Sequence, residues 1–374
     1  MRILLVGLSE LLPLAVTQVL NPENDYRAIV VDEVEPAREF LSQGNYPAEN
    51  VFPLYELPEC VENFFYDCVI CVGNVGDKLT NEIKRCGVPK NKIIQLEIKS
   101  AENFLLDRAL RYYQKNFSDF EMFATGASTV ELGLLTKCFT KKLFNFGRAN
   151  QDIYFCFQLA KKVISTGGGI LNYALIGLQP YFLHFDESKS LNPIAYLTAY
   201  AIALKDLHNF WLPAEKYRSL FRQEYLDYKM SIDDIEIDEV SVLGDYSKQH
   251  MNLDSRIDAR KRIDVWKNRN FPDTREENVK ILDDYLTLCE ENKIVPIIFL
   301  PPTTEGYKKY FSKQKLEEYH FVIRDALAKH KIAKFVDGWQ LQGLSDADFM
   351  DVVHLNYNGA VKFSYALNDV IEKL

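Results

Sequence analysis

The chain has 374 residues, room for two or three domains at about 150 residues each. Hydrophobic residues make up 47% and charged residues 26%, an ordinary globular balance that excludes a disordered or fibrous chain. Lys plus Arg number 44 and Asp plus Glu 53, so the net charge of −9 gives no general attraction to nucleic acid or anionic lipid.

The first hundred residues alternate strand and helix. Ile3–Gly7 is a short apolar strand, and Ser9–Leu20 has helical spacing with Ser9 as N-cap. Tyr26–Val31 is the next strand, ending at Asp32, and 34–42 is a short helix. Cys68–Gly73 is a buried strand, Lys78–Cys86 a helix closed by Gly87, and Lys92–Leu96 a last strand. Apolar strands alternating with helices predict a parallel sheet, so residues 1–100 are expected to form a small Rossmann-like α/β domain. Residues 101–118 read as a linking helix.

A second α/β unit then begins. Glu121–Thr125 is a strand leading into Gly126-Ala127-Ser128, and Lys141–Phe146 is the next strand-like piece. Asp152–Val163 is a helix, Gly167–Gly169 a turn, and Ile170–Gly177 a buried strand. The glycine run lacks the Lys-Ser/Thr of a phosphate loop and precedes a strand rather than a helix. Pro193–Trp211 and Ala214–Met230 have helical apolar spacing. Ile232–Glu239 is acidic. Arg256–Arg269 is basic with interleaved Asp254, Asp258 and Asp264, which fits a solvated helix face or an anion-attracting rim. The sheet pattern resumes with a helix at Glu277–Glu290, the strand Val295–Leu300, a helix at Lys315–His330, the strand Phe335–Asp337 and a terminal helix Gly359–Lys373.

The N-terminal unit raises the question of a dinucleotide. Gly7 and Asp32 stand where a turn glycine and a ribose-binding acid would be. The turn, however, reads Gly7-Leu8-Ser9-Glu10-Leu11-Leu12, without two of the three glycines that let a pyrophosphate approach the backbone, and Glu10 adds a like charge. No NAD, NADP or other cofactor is therefore expected, and the unit reads as a nucleotide-free module for packing or partners. The 7 cysteines follow no small-domain framework. Cys68 and Cys71 lie three apart on a strand and so on opposite faces, which argues for buried structural thiols and no metal site. Ile3–Leu20 is interrupted by Ser9, Glu10 and Pro13 and shows no cleavage pattern, and no clean apolar run of about 18 residues occurs. A soluble, cytoplasmic protein without an integral membrane segment is expected.

Two short segments carry chemistry. In Phe123-Ala124-Thr125-Gly126-Ala127-Ser128, a strand ends in a Gly-x-Ser turn before a helix, which sets a serine at a helix N-terminus on the carboxyl edge of a sheet. In Asp351-Val352-Val353-His354-Leu355-Asn356, an Asp and a His three apart on one turn can pair, so that the carboxylate fixes the imidazole tautomer and leaves Nε2 as base. The chain order Ser…Asp…His is one that α/β serine hydrolases use.

On these blocks the sequence resembles the SGNH (GDSL-like) hydrolase superfamily over residues 119–374, with 191–270 as a helical insertion. Gly126-Ala127-Ser128 corresponds to the nucleophile block, with Ala127 where the family often has Asp. Asp351 and His354 correspond to the Asp-x-x-His block. Its extension through Asn356, Gly359, Ala360, Phe363 and Ser364, with the segment Ile297–Tyr307, looks like the branch of D-alanyl-transfer proteins and surface-polysaccharide acyl esterases. The resemblance implies a flavodoxin-like three-layer α/β/α domain. It implies Ser128 as nucleophile, His354 as base and Asp351 as orienter. The oxyanion would be held by the N–H groups of Ser128 and of Gly147 in Phe144-Asn145-Phe146-Gly147. The family's Gly-x-Asn-Asp block is replaced by Gly177-Leu178-Gln179-Pro180, so that Gln179 or Asn150 is left as a further donor. The expected activity is that of a serine esterase or acyltransferase on an acylated carbohydrate or similar small ester. The alternatives are a catalytically degenerate binding or assembly protein in surface-polysaccharide metabolism and, less favoured by the turn at Gly7, a nucleotide-dependent enzyme. Acyl group, acceptor and oligomeric state, a homo-oligomer included, are left open.

Overall fold

A computed structural model describes residues 1–43, 50–72, 78–96, 102–167, 170–190, 194–223, 226, 259–264 and 270–374. The chain forms two compact α/β units, one from Met1–Asp107 with Leu191–Asp234, the other from Arg108–Ser190 with Ile235–Leu374. The boundary falls within the helix Glu102–Asn116. The stretch expected as a single insertion at 191–270 is thus divided, with 191–234 grouping with the first unit. The acidic segment 232–239 and most of the basic segment 256–269 lie outside the described residues. No helix among the described residues is long and apolar enough to cross a membrane.

The first unit is built on a five-stranded parallel sheet in the order β3-β2-β1-β4-β5. The strands are β1 (Arg2–Gly7), β2 (Asp25–Val31), β3 (Val51–Pro53), β4 (Cys68–Val72) and β5 (Ile93–Leu96). Strand β3 and the helix Leu57–Asn63 fall in a stretch where the sequence pattern predicts no element. Cys71 packs with Val69, Leu4 and Val30 on one face of the sheet, and burial pushes the Cys68 thiol up to about 12, so this thiol stays protonated.

The expected helix over Ser9–Leu20 is replaced by a helical turn at Leu12–Leu14 and a wider-wound stretch at Ala15–Val19. With Ser9 as N-cap, Pro13 would occupy the first position whose N–H must bond inside the helix, and proline has none. The N–H of Ser9 instead donates to Asp32 Oδ1 at 2.7 Å, and that of Glu33 to the same oxygen at 3.1 Å. Asp32 is thereby committed to holding the turn after β1.

The second unit carries a five-stranded parallel sheet in the order β10-β9-β8-β6-β7. Its strands are β6 (Met122–Gly126), β7 (Leu143–Asn145), β8 (Tyr173–Gly177), β9 (Val295–Leu300) and β10 (Lys334–Asp337). Met122, Ala124, Leu175, Ile297 and Phe299 face one core, covered by Ala360, Phe363, Leu367 and Ile371 of the helix Tyr357–Ile371. The alternate residues face the helices Ile153–Gly167 and Arg275–Glu291, which pack on each other and on β6 and β9. Helices on both faces bury the central strands β6, β8 and β9, which is why these read as nearly continuous apolar runs. The chain winds from β6 to β7 on one side and to β8 on the other, so the sheet has a switch point between β6 and β8. Open parallel sheets bind ligands at the carboxyl ends of the strands beside such a point.

Candidate active site

The last residues of β6 and β8, Gly126 and Gly177, pair directly at that switch point. The reason is steric. A Cβ on either would overlap Val130 Cγ2, and one on Gly126 would also come within 2.7 Å of the Gly177 carbonyl. Gly126 has φ +150°, a backbone that favours glycine. The two glycines let the helix Ser128–Glu131 lie across the sheet edge with Ser128 in its first turn. Several bonds hold this turn. Gly126 N–H donates to Gln151 Oε1 at 3.0 Å, Gln151 Nε2 donates to the Phe146 carbonyl at 3.1 Å, and Arg148 N–H donates to the Gly126 carbonyl at 2.9 Å. Thr125, the preceding residue, shares a 3.0 Å hydrogen bond with the Tyr285 hydroxyl.

Asp351 and His354 arrive from a loop just before the helix Tyr357–Ile371. They do not share a helical turn, as the spacing suggested. Asp351 Oδ1 accepts the N–H groups of Val353 and His354, each at 2.8 Å, which curls the loop tightly enough for the two side chains to meet. The loop is anchored on both sides. Thr304 donates its N–H and its hydroxyl to the Val352 carbonyl, both at 3.1 Å. Asn356 caps the helix, accepting the Gly359 N–H at 3.0 Å.

These anchors bring together side chains 226 residues apart. Ser128 Oγ lies 2.7 Å from His354 Nε2, and His354 Nδ1 lies 2.6 Å from Asp351 Oδ2. An ionised carboxylate can only accept, so Nδ1 carries the proton and Nε2 accepts from the serine hydroxyl. Burial works against the charge on Asp351. The hydrogen bond and charge of His354, with the two backbone N–H groups, outweigh it and hold the carboxyl down to about 2. Asp351 is therefore anionic at any ordinary pH and fixes the tautomer that makes His354 a base toward Ser128.

The expected oxyanion donors divide. Ser128 N–H belongs to the first helical position and has no intrahelical acceptor. The helix has only four residues, so its dipole adds little and the N–H itself is what matters. Gly147 requires a correction. Its N–H donates to Asn145 Oδ1 at 2.8 Å, because the Asn145 side chain folds back over the turn while its Nδ2 donates to the Val130 carbonyl at 3.1 Å. Gly147 acts sterically here, since a Cβ would press on Val130 Cγ1 at 2.9 Å and on the Glu131 backbone. Asn150 sits in the following turn with φ +55°. Gln179 lies two residues beyond Gly177, as Ser128 lies two beyond Gly126. It is 4% exposed, and neither atom of its carboxamide has a hydrogen-bond partner.

Asn145, Gln151 and Thr304 support the site without having been marked by the sequence pattern as functional. Asn145 and Thr304 carried a signal, through their places in Phe144-Asn145-Phe146-Gly147 and in Ile297–Tyr307, whereas Gln151 carried none. No protein-family model matches the chain, and no curated protein matches its sequence.

Proposed function

We propose that the second unit is a serine esterase or acyltransferase of SGNH type, acting on an acylated carbohydrate or a similar small ester. The observation that carries this reading is the unbroken Ser128–His354–Asp351 chain at the switch point of a parallel sheet. The strand order supports the flavodoxin-like arrangement implied by the sequence resemblance.

In this reading Ser128 Oγ attacks the ester carbonyl carbon while its proton passes to His354 Nε2. The carbonyl π electrons move to the oxygen, which is held by Ser128 N–H and Gln179 Nε2. Collapse breaks the bond to the alcohol oxygen, and the imidazolium returns its proton to that oxygen. Water then repeats the sequence on the acyl-serine and yields a carboxylic acid. A sugar hydroxyl in place of water yields a transferred acyl group. Asp351 stays ionised throughout and stabilises the imidazolium.

One observation favours the alternative of a degenerate binding protein. Gly147 N–H is engaged by Asn145, so the oxyanion rests on fewer donors than the resemblance implies. A missing donor costs about 10²–10³ in rate. Turnover of p-nitrophenyl acetate decides between the two. Ser128→Ala and His354→Ala should each remove nearly all of it, roughly 10³-fold or more, and the double variant should lose almost nothing further because the residues act as a unit. No turnover by the wild type above background would transfer the assignment to the binding protein, and wild-type activity in Ser128→Ala would remove Ser128 as nucleophile.

A further inference from the structure

Gln179 offers more than an oxyanion needs. A carboxamide has a donor half and an acceptor half, and a buried polar atom left unpaired is destabilising. Both halves of Gln179 are buried and unpaired, so the conclusion does not depend on which atom is oxygen and which nitrogen. A developing oxyanion accepts hydrogen bonds, so it satisfies the NH₂ and leaves the carbonyl oxygen without a donor.

A second unpaired group lies on the neighbouring loop. Strand β9 pairs with β8, with Gly177 opposite Phe299 and the Leu178 N–H on the Phe299 carbonyl at 3.0 Å. The chain beyond β9 runs through Pro301 and Pro302 to Thr303, which is 3% exposed with an unpartnered hydroxyl. Thr304, next along, holds the Val352 carbonyl two residues before His354. Gln179 and Thr303 thus follow adjacent strands at the edge that carries the triad.

We propose that Gln179, with Thr303, reads a hydroxyl group adjacent to the scissile ester. The preferred substrate is then an ester of a vicinal diol or polyol, not of a simple alkyl alcohol. This deepens the esterase reading and rests on it for the position of the ester. The Gln179 carbonyl oxygen accepts the neighbouring hydroxyl of the alcohol portion, while Nε2 serves the carbonyl oxygen of the ester.

The test compares two acetates that differ by one hydroxyl, 2-hydroxypropyl acetate and propyl acetate. The wild-type protein should favour the first by about tenfold in kcat/KM, the size of one buried hydrogen bond. Gln179→Met, of similar length but without the amide, should abolish that preference, and Thr303→Val should reduce it. Equal kcat/KM for the two esters in the wild type would overturn the proposal while leaving the esterase reading intact, and this arm needs no variant to fold. A preference that survives in folded Gln179→Met would also overturn it. Saturation-transfer NMR of both esters with Ser128→Ala supplies a readout without turnover. Selective binding of the hydroxy ester, with no hydrolysis by the wild type, would keep the recognition and discard the chemistry. Neither turnover nor selective binding would discard both.

Discussion

At the scale of single residues, Asp351 ties stability to the proposed activity. Its folded pKa of about 2 lies below the ordinary 3.8 of an aspartate, so it contributes stability that is complete above the unfolded value and lost as pH falls through the folded one. A shift of nearly two units corresponds to about 2 kcal/mol. Urea titrations between pH 5 and 2 should show wild-type stability falling more steeply than that of Asp351→Asn by about this amount. The same variant should lose about 10³–10⁴ in esterase turnover at neutral pH, because the amide cannot hold the required tautomer. Parallel stability profiles would remove Asp351 from the role given to it. Ser128, Asp351 and His354 were legible in the sequence from their flanking glycines, their spacing and their order. The engagement of Gly147 was not, because nothing in Phe144-Asn145-Phe146-Gly147 says that the asparagine folds back onto its own turn.

At the scale of elements, the site depends on how closely the helix Ser128–Glu131 can approach the sheet. Val130 packs over the paired Gly126 and Gly177 and leaves no space for a side chain on either. Gly126→Ala adds both a backbone conformation that alanine rarely takes and an overlap with Val130 and the Gly177 carbonyl. The expected cost is about 3 kcal/mol or more, with loss of esterase activity through displacement of Ser128. Chemical denaturation would measure the first, and a variant as stable as the wild type would contradict the packing argument. Strands were read well where the apolar run was continuous, as at Val295–Leu300. The segment Ser9–Leu20 has helical apolar periodicity, but Pro13 lacks the N–H that a helix starting at Ser9 needs there. The Asp351–His354 loop took its geometry from backbone N–H groups bonding to the aspartate itself, a local competition with helix formation that spacing alone does not reveal.

At the scale of the whole molecule, two parallel α/β sheets carry different edges. The first unit has the strand order β3-β2-β1-β4-β5, yet Asp32 is spent on the Ser9 and Glu33 amides and the turn after β1 lacks the glycines a pyrophosphate needs. Calorimetry with NAD and NADP should show no binding, and micromolar affinity for either would overturn the argument. The break between units was legible near residues 100–118 because the strand–helix alternation pauses there. The return of 191–234 to the first unit was not, since apolar spacing says that a helix will be buried but not against which neighbour. The role proposed for Ser128 in the second unit is that of an activated nucleophile. The most direct measurement is to incubate the full chain with a fluorophosphonate and locate the adduct by peptide mass spectrometry. A single phosphonylated residue at Ser128, absent in Ser128→Ala and strongly slowed in His354→Ala, is the predicted result. An unlabelled Ser128, or labelling that is independent of His354, would contradict it.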